Sequence, residues 1–479
     1  MFLGREMELR KMNRRYNKGG LECIVIYGRR RVGKTALINE FTRDKPRIYF
    51  PALNTNAQGN LAGLSKAIHA YLNPGAVEAP VYSSFDAAFQ EISRIAKSER
   101  IIFVIDELPY LVKADDSIPS RLQYLLDHDW GDSRLFLILC GSSMSFMEKE
   151  VLSEKSPLFG RRTAQFKLEP LSYLDSAKFH PELSFAENAL IYGITGGVPH
   201  YINKLDVRGH VREALLENLF DTSAYLFEEP ENLLKQELRE PAAYNSIITA
   251  IAGGATRLND ISMKSGIDTP QCTKYIKVLM ELGIVQKIEP VVDKSKRRNI
   301  YRIRDNFFRF WYRFVPANMM AVISGTMDRI YDSAVGSYLS DYMGLVFEDI
   351  CRHYLIHYAD NLPVQISEIG EWWGTHPEKK KEVQLDIVAL ASKASNTKAG
   401  KRFIIGSCKY KNERIGVNEL ELIQNYASVF ANANDECFYY IFSKSGFSEG
   451  LLEKQKNGEV TLLSLEDLFI VPVSEAGER

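Results

Sequence analysis

One octapeptide carries residue types and spacing that could bind a polyphosphate, namely Gly28–Thr35, which reads Gly-Arg-Arg-Arg-Val-Gly-Lys-Thr. It matches the phosphate-loop pattern GxxxxGK[ST] at every fixed position. Gly28 and Gly33 allow backbone geometry that a side chain would block. Lys34 would reach the β and γ phosphates of ATP, and the Thr35 hydroxyl would hold Mg²⁺. The other loop residues would offer backbone N–H groups to the phosphates: Arg29, Arg30, Arg31 and Val32.

The sequence on either side of this loop suits the same chemistry. Residues 23–27 form a short apolar run typical of a strand, and residues 36–41 continue as a helix. A strand, a glycine loop and a helix in this order place the positive end of the helix dipole at the phosphates. The alternative interpretation is a glycine-rich turn after a buried strand, without a ligand.

A second apolar run ends in two carboxylates. Residues 101–105 have the continuous apolar character of a central parallel strand, and Asp106 and Glu107 follow them directly. Asp106 would enter the Mg²⁺ shell through water, and Glu107 would orient and deprotonate the attacking water as a general base. The alternative is a capping pair at the end of a strand.

A third apolar run, residues 135–140, ends in Gly141 and Ser142. If its strand lies beside the other two, the Ser142 hydroxyl could reach the γ-phosphate and sense it. A helix N-cap formed by Ser142 or Ser143 is the alternative, because serine is among the preferred N-cap residues.

Several short segments, together with the loop, resemble the archaeal-type ATPase family of the AAA+/STAND group. They are Phe-Leu-Gly-Arg-Glu at 2–6, Asp-Glu-Leu-Pro-Tyr at 106–110, Gly-Ser-Ser at 141–143, Leu-Phe-Gly-Arg-Arg at 158–162 and Gly-Gly-Val-Pro at 196–199. The resemblance implies that Arg5 lies near the adenine and that a helical lid follows the core. It also implies that Arg161 or Arg162 neutralises charge in phosphoryl transfer, as an arginine finger or sensor. A surface arginine paired with an acid is the alternative.

The composition limits the other classes of function. The net charge of −1 gives no overall attraction to nucleic acid or to an anionic membrane, so any nucleic-acid contact must come from a local patch. No apolar run is long enough to span a bilayer, and the charged N-terminal segment does not read as a secretory signal. The six cysteines show neither zinc nor disulfide spacing, which indicates reduced thiols and a cytoplasmic protein.

The middle of the chain predicts a winged helix-turn-helix. Three helical segments precede two strand-like runs at 283–288 and 299–303. Such a domain can place its third helix, here residues 269–282, in the major groove of DNA. The basic turn Lys294–Arg298 between the two strands could contact phosphates. The alternative is a solvated hairpin on a domain that packs against the ATPase and binds nothing.

The C-terminal part of the chain resembles the domain of unknown function that is fused to archaeal-type ATPases and is itself similar to PD-(D/E)xK nucleases. The resemblance implies a metal-dependent site containing Asp386 and Lys409 on neighbouring strands. The position two residues before the lysine should be acidic, but it is Ser407. Glu348, or a displaced acid such as Glu419, would have to complete the metal shell. The alternative is a nuclease-like fold kept for binding, with Asp386 and Lys409 as a buried ion pair.

These features predict an α/β protein. A P-loop parallel-sheet core with a helical lid is followed by a winged helix and a small α/β restriction-endonuclease-like domain. The predicted boundaries are 1–168 for the core, 169–240 for the lid, 241–315 for the winged helix with its connecting helix, and 335–470 for the nuclease-like domain.

The leading functional hypothesis is Mg²⁺-dependent binding and hydrolysis of ATP, acting as a conformational switch. Through it, the C-terminal domains would engage double-stranded DNA or a protein partner, which could be a second copy of this chain. Two alternatives stay open. One is an ATP-gated, metal-dependent DNA nuclease, and the other is a non-enzymatic nucleotide-binding scaffold in a defence or toxin–antitoxin assembly.

Overall fold

The structure is a computed structural model of the chain. It describes residues 2–75, 79–207, 209–292, 299–391 and 400–471. The chain forms two compact units. The first comprises Met1–Ser172 and Val198–Tyr201, and the second comprises Tyr173–Gly197 and Ile202–Arg479.

A five-stranded parallel sheet forms the centre of the first unit. Its strands are β1 Glu22–Tyr27, β2 Arg47–Pro51, β3 Ile101–Asp106, β4 Leu135–Gly141 and β5 Ala164–Lys167. They lie in the order β2-β3-β4-β1-β5, and every neighbouring pair is parallel. Strands β1, β3 and β4 are buried along their whole length, as their continuous apolar runs predict. The predicted parallel α/β core is therefore confirmed.

Helices cover both faces of this sheet. They are α1 Glu6–Tyr16, α2 Lys34–Thr42, α3 Ala57–Leu72, α4 Phe85–Ser98, α5 Leu108–Ala114, α6 Ile118–Tyr124 and α7 Met144–Phe146, with π-helical turns at Leu125–Asp129 and Met147–Val151. Alternate residues of the central strands enter two different apolar clusters, because successive side chains of a strand point to opposite faces. In β3, Phe103 belongs to one cluster and Val104 to the other.

Helix α4 is an example of a helix on this sheet whose start and packing follow from its local sequence. The Ser84 hydroxyl accepts a hydrogen bond from the Ala87 N–H and caps the first turn. Phe89 then packs edge-to-face on Trp130, with 6.2 Å between ring centroids. The Trp130 indole N–H donates to the Ser93 hydroxyl at 2.6 Å, so this fully buried polar group is satisfied.

The second unit begins with a helical region. Its helices are α8 Tyr173–Ala177, α9 Phe185–Thr195, α10 Pro199–Lys204 (which starts in the first unit), α11 Val211–Asn218, α12 Tyr225–Glu237, α13 Pro241–Ala252, α14 Leu258–Ser265, α15 Thr269–Glu281, α16 Asn306–Phe314, α17 Met319–Ile323, α18 Met327–Ala334 and α19 Leu339–His357, with 3₁₀ turns at Pro316–Asn318 and Gly336–Tyr338. Helix α16 is buried on nearly every side, and Phe307, Phe308 and Phe310 are fully enclosed. Its aromatic side chains are therefore core residues.

Helices α13, α14 and α15 are followed by a two-stranded antiparallel sheet, β6 Val285–Ile288 and β7 Ile300–Ile303. The buried face of α15 includes Cys272, Ile276 and Leu279. The predicted basic turn Lys294–Arg298 lies outside the described residues.

A second five-stranded sheet lies in the C-terminal part of the chain. Its strands are β8 Ile366–Thr375, β9 Glu382–Ala391, β10 Arg402–Lys409, β11 Glu436–Ser443 and β12 Thr461–Ser464, and its helices are α20 Val417–Ala427, α21 Glu449–Lys456 and α22 Leu465–Phe469. The order is β12-β11-β10-β9-β8, with antiparallel pairing from β8 to β10 and parallel pairing from β10 to β12. Across the described ranges, no helix combines the length and the apolar character needed to cross a bilayer.

Candidate active site

In the first unit, the residues predicted to bind and hydrolyse ATP lie together at the carboxyl edge of the sheet. Tyr27 pairs with Gly141, and Ile105 pairs with Leu139, so β1, β3 and β4 end at nearly the same level. Because β4 lies between β1 and β3, the phosphate loop, the acidic pair and Ser142 all emerge at this edge. Ligands of open α/β sheets bind at this kind of edge.

The loop has the backbone geometry that its glycines predict. Gly33 has φ +93° and caps the N-terminus of α2. A Cβ atom on Gly28 would lie 2.4 Å from the Leu168 carbonyl oxygen, so a larger residue would clash there. Lys34 is 6% exposed, and its Nζ donates to the Gly28 and Arg29 carbonyl oxygens, both at 2.9 Å. Burial lowers the pKa of the Lys34 ammonium group.

The two residues predicted to hold Mg²⁺ are in direct contact. The Thr35 hydroxyl donates to Asp106 Oδ2 at 3.1 Å, and the Glu107 N–H donates to Asp106 Oδ1 at 3.1 Å. A hydroxyl and a carboxylate suit Mg²⁺, which prefers oxygen ligands and usually combines one or two carboxylates with substrate phosphates. These two residues therefore fit the ion that the loop motif implies.

Sequence reasoning did not find the third partner of Asp106. The Tyr49 hydroxyl, from β2, also donates to Asp106 Oδ2. Burial, followed by the bond to the carboxylate, raises the pKa of Tyr49 well above its usual range, so the phenol stays a donor. The only signal in the sequence is a tyrosine that stands between two apolar residues, Ile48 and Phe50, in a short strand.

Glu107 is held in an unusual backbone conformation and by a defined partner. Its φ of +56° lies in the left-handed region, which costs a non-glycine residue about 1–2 kcal/mol. Its Oε2 accepts hydrogen bonds from the Ser142 N–H at 3.2 Å and from the Ser142 hydroxyl at 2.9 Å. The Ser142 side chain therefore contacts the predicted general base, and the short helix α7 that follows has no side-chain cap.

Arginine side chains form hydrogen bonds around the phosphate loop. Arg5 is buried, and its Nη2 donates to the Val32 carbonyl at 3.1 Å and to the Glu169 carbonyl. Arg30 Nη2 donates to the Tyr110 hydroxyl at 2.9 Å. Arg5 thus ties the N-terminal segment to the loop, and Arg30 ties the loop to the helix that follows the acids.

The other two arginines of the phosphate loop are Arg29 and Arg31. Arg29 Nη2 lies 3.5 Å from the Tyr201 hydroxyl. Arg31 has φ +73°, and it precedes the fully buried Val32.

The two predicted finger arginines bond elsewhere in this conformation. Arg161 Nε and Nη2 each bind one carboxylate oxygen of Asp127 at 2.8 Å. Arg162 Nη1 donates to the Leu152 carbonyl at 3.3 Å, and its guanidinium lies 5.5 Å from the ring centroid of Phe159. Arg161 therefore has the geometry of the alternative, a surface arginine paired with an acid, and the finger role of both arginines stays a prediction.

In the second unit, the residues predicted for a metal-dependent site form a polar network. Asp386 accepts hydrogen bonds from the Cys408 N–H at 2.8 Å and from the Ser407 hydroxyl at 3.4 Å. Glu419, from α20, accepts from the same hydroxyl at 2.7 Å. Lys409 Nζ lies 3.2 Å from Glu419 Oε1 and 3.8 Å from Asp386 Oδ2.

Lys409 lies within ion-pair distance of both carboxylates of this network. Burial opposes its charged form, but Asp386 and Glu419 outweigh that effect and raise its pKa. Within the ranges that the structure describes, no group of three or more His, Cys, Asp or Glu side chains is placed to hold a metal ion. In this conformation Asp386 and Lys409 have the geometry of the ion-pair alternative, and the metal-dependent site stays a prediction.

Glu348 is also buried, and its carboxyl group interacts electrostatically with Asp386. Burial, followed by the Asp386 and Glu371 carboxylates, raises the pKa of Glu348 from 4.5 to about 8. Its closest cation is Arg352, whose Nη1 lies 3.6 Å from Oε2. Glu371 is itself paired with Arg302 at 2.7 Å. The raised pKa favours the protonated form of Glu348.

Replacing Glu348 with glutamine is expected to make stability less sensitive to pH. The wild-type carboxyl binds a proton more tightly when folded, so its stabilising contribution is full below pH 4.5 and is lost as pH rises through about 8. The slope due to this one group is at most about 1.4 kcal/mol per pH unit. Urea unfolding at several pH values across this interval measures it. If the free energy of unfolding changes equally with pH in the wild type and the variant, the prediction is contradicted.

Two segments of the chain match known families. Residues 2–205 match an ATPase domain found predominantly in Archaea, and this segment contains every residue of the site at the first sheet. Residues 311–422 match a family of archaeal and bacterial proteins of unknown function.

Individual proteins extend this likeness. An uncharacterised protein of Methanocaldococcus jannaschii is 28% identical over 476 residues, covering 98% of this chain and 100% of that protein. An uncharacterised ATP-binding protein of the same organism is 47% identical over 45 residues, covering 9% of this chain and 76% of that protein. The Walker-type ATPase structure of Pyrococcus abyssi is similar in fold, with a TM-score of 0.50 and 19% identity, covering 65% of this chain and 96% of that one.

The family match and the parallel-sheet fold agree with each other, and they confirm the resemblance that the sequence motifs indicate. Residues 2–205 resemble the ATPase domain found predominantly in Archaea, and the chain is similar in fold to a Walker-type ATPase.

Proposed function

We propose that this protein hydrolyses ATP with Mg²⁺ and uses the reaction as a conformational switch for engaging DNA or a protein partner. The observation that supports it most is the meeting of the loop, Asp106, Glu107 and Ser142 at one sheet edge. Mg²⁺, when bound, supplies charge neutralisation for the transferred phosphoryl group.

The residues of the chain have separate roles in this proposal. Lys34 would leave the Gly28 and Arg29 carbonyls, which it contacts at 2.9 Å, and bind the phosphates. Thr35 and Asp106 would hold the ion. Glu107 would accept a proton from the attacking water, because Ser142 bonds Oε2 and leaves Oε1 for the water.

A short segment of the chain connects the surroundings of the phosphate loop covalently to the second unit. Val198–Tyr201 belongs to the first unit, although the residues before and after it belong to the second. A Cβ atom on Gly33 would lie 3.9 Å from Pro199, and Arg29 lies beside Tyr201. A phosphate in the loop would therefore alter the surroundings of a segment that connects to the second unit on both sides, which supports a switch.

The exposed face of α15 supports DNA as one target. Lys274 and Lys277 are exposed on the side opposite the buried Ile276 and Leu279. Exposed lysines on one helix face can neutralise phosphates and release counterions. A protein partner is the other target that this proposal allows.

The double variant Lys274→Glu/Lys277→Glu is expected to bind double-stranded DNA at least about tenfold more weakly, with a salt dependence reduced by about two phosphate contacts. Fluorescence anisotropy with a labelled duplex at several salt concentrations measures both quantities. Lys66→Glu/Lys97→Glu, which changes two exposed lysines of the first unit, is the matched control. If both double variants bind DNA equally well, α15 is not part of a DNA interface, and a protein partner is favoured.

For the second unit we propose binding without cleavage, because Lys409 lies between the two carboxylates that a metal would need. Plasmid DNA incubated with the protein, ATP and Mg²⁺ or Mn²⁺ is expected to stay intact. Cleavage that disappears in Asp386→Ala would overturn this and establish an ATP-gated nuclease instead.

The switch itself is tested by ATP turnover with and without double-stranded DNA. Stimulation by DNA would connect the two activities. Nucleotide binding with no turnover under either condition would refute the proposal and support a non-enzymatic scaffold.

A further inference from the structure

Tyr49 donates a hydrogen bond to the carboxylate of Asp106. One carboxylate oxygen, Oδ1, accepts the Glu107 N–H at 3.1 Å. The other, Oδ2, accepts both the Thr35 hydroxyl at 3.1 Å and the Tyr49 hydroxyl. These three donors come from different elements, and among them Tyr49 alone has no place in the loop motif or the acidic motif.

The fold holds the Tyr49 hydroxyl in this position. Strand β2 pairs with β3 in a register that sets Tyr49 opposite Val104 and Pro51 opposite Asp106. The Tyr49 ring packs against the apolar cluster on one face of the sheet, and the Arg47 guanidinium lies 5.7 Å from the ring centroid. The phenol is thus placed by strand pairing and by packing.

We propose that Tyr49 is a positioning residue for the divalent cation, acting through Asp106. This inference rests on the proposed Mg²⁺-dependent hydrolysis. Groups that bond to the ligands of a metal orient those ligands and sharpen their geometry, and losing one typically weakens metal affinity about 10–100-fold. Tyr49 would do so as a neutral donor that keeps the Asp106 carboxylate facing Thr35.

The phenol also leaves the charge of the site unchanged. An ammonium or guanidinium group at this position would compete with the cation for Asp106, whereas a hydroxyl only orients the carboxylate. Removing the hydroxyl should therefore change how tightly the cation is held, and should change the chemical step little once the cation is bound.

Tyr49→Phe keeps the ring and removes only the donor. In this variant, the Mn²⁺ concentration that half-saturates the protein with a non-hydrolysable ATP analogue, followed by electron paramagnetic resonance, is expected to rise about tenfold. The half-saturating Mg²⁺ concentration for ATP turnover is expected to rise by a similar factor. Turnover at saturating Mg²⁺ should stay within about twofold of wild type.

Tyr71→Phe is the matched control, because it removes a hydroxyl that bonds a carboxylate of Glu99 at 2.8 Å, away from the site. Unchanged Mn²⁺ affinity in Tyr49→Phe, or a loss of turnover that saturating Mg²⁺ does not restore, would overturn the inference and leave the proposed hydrolysis standing. A wild-type protein that binds neither Mn²⁺ nor the analogue would instead refute the proposed function.

Discussion

Glu107→Gln is expected to lower the turnover number for ATP by about 10²–10⁴-fold, the range of rate that a positioned general base contributes. Glutamine has nearly the shape of glutamate, and its side-chain oxygen can still accept the hydrogen bonds that Ser142 donates at 3.2 and 2.9 Å. It cannot take a proton from water. The loop and its contacts with Lys34 are unchanged, so the affinity for ATP should stay near the wild-type value.

Two measurements separate these effects. Phosphate release under saturating ATP and Mg²⁺ gives turnover, and calorimetric titration with a non-hydrolysable analogue gives affinity. Glu154→Gln, which neutralises an exposed carboxylate of the same unit, is the control and should behave as wild type. Turnover in Glu107→Gln equal to that of the control would exclude Glu107 as the base.

Lys409→Met is expected to lower the free energy of unfolding by about 3 kcal/mol, the lower end of the cost of removing one partner from a buried ion pair. The lysine side chain is 25% exposed, and the carboxylates it pairs with are 18% exposed at Asp386 and 17% exposed at Glu419. Without the ammonium group these two carboxylates would face each other partly desolvated. Burial already raises the pKa of Asp386, which shows that its charged form is disfavoured there.

Urea unfolding of the full chain measures this loss. Lys411→Met, an exposed lysine two positions further along, is the matched control and should change stability by less than about 0.5 kcal/mol. Adding Glu419→Gln to Lys409→Met should restore part of the stability, because it removes one of the two uncompensated charges. A Lys409→Met variant as stable as Lys411→Met would show that the ion pair contributes nothing.

The sequence predicts the centre of the first unit well, for a physical reason. A parallel strand covered on both faces must be apolar throughout, which marks β1, β3 and β4 directly. Parallel strands end at the same edge, so the loop after Tyr27 and the carboxylate of Asp106 had to meet. The confirmed fold class follows from these few runs.

Other parts of the site depend on contacts that no local pattern encodes. Tyr49 reaches Asp106 only because β2 lies beside β3, and the order of strands is decided by the packing of the whole sheet. Arg161 binds Asp127 across 34 positions of sequence. Glu419 lies at Ser407 because α20 packs on β10, whereas the sequence alone left its position open.

Steady-state phosphate release from ATP by the purified wild-type chain is the most direct test of the central claim. The site geometry predicts turnover that requires Mg²⁺, disappears when the ion is chelated, and exceeds that of Glu107→Gln by at least about 10²-fold. Release that is equal with and without Mg²⁺, or equal in wild type and Glu107→Gln, would contradict it.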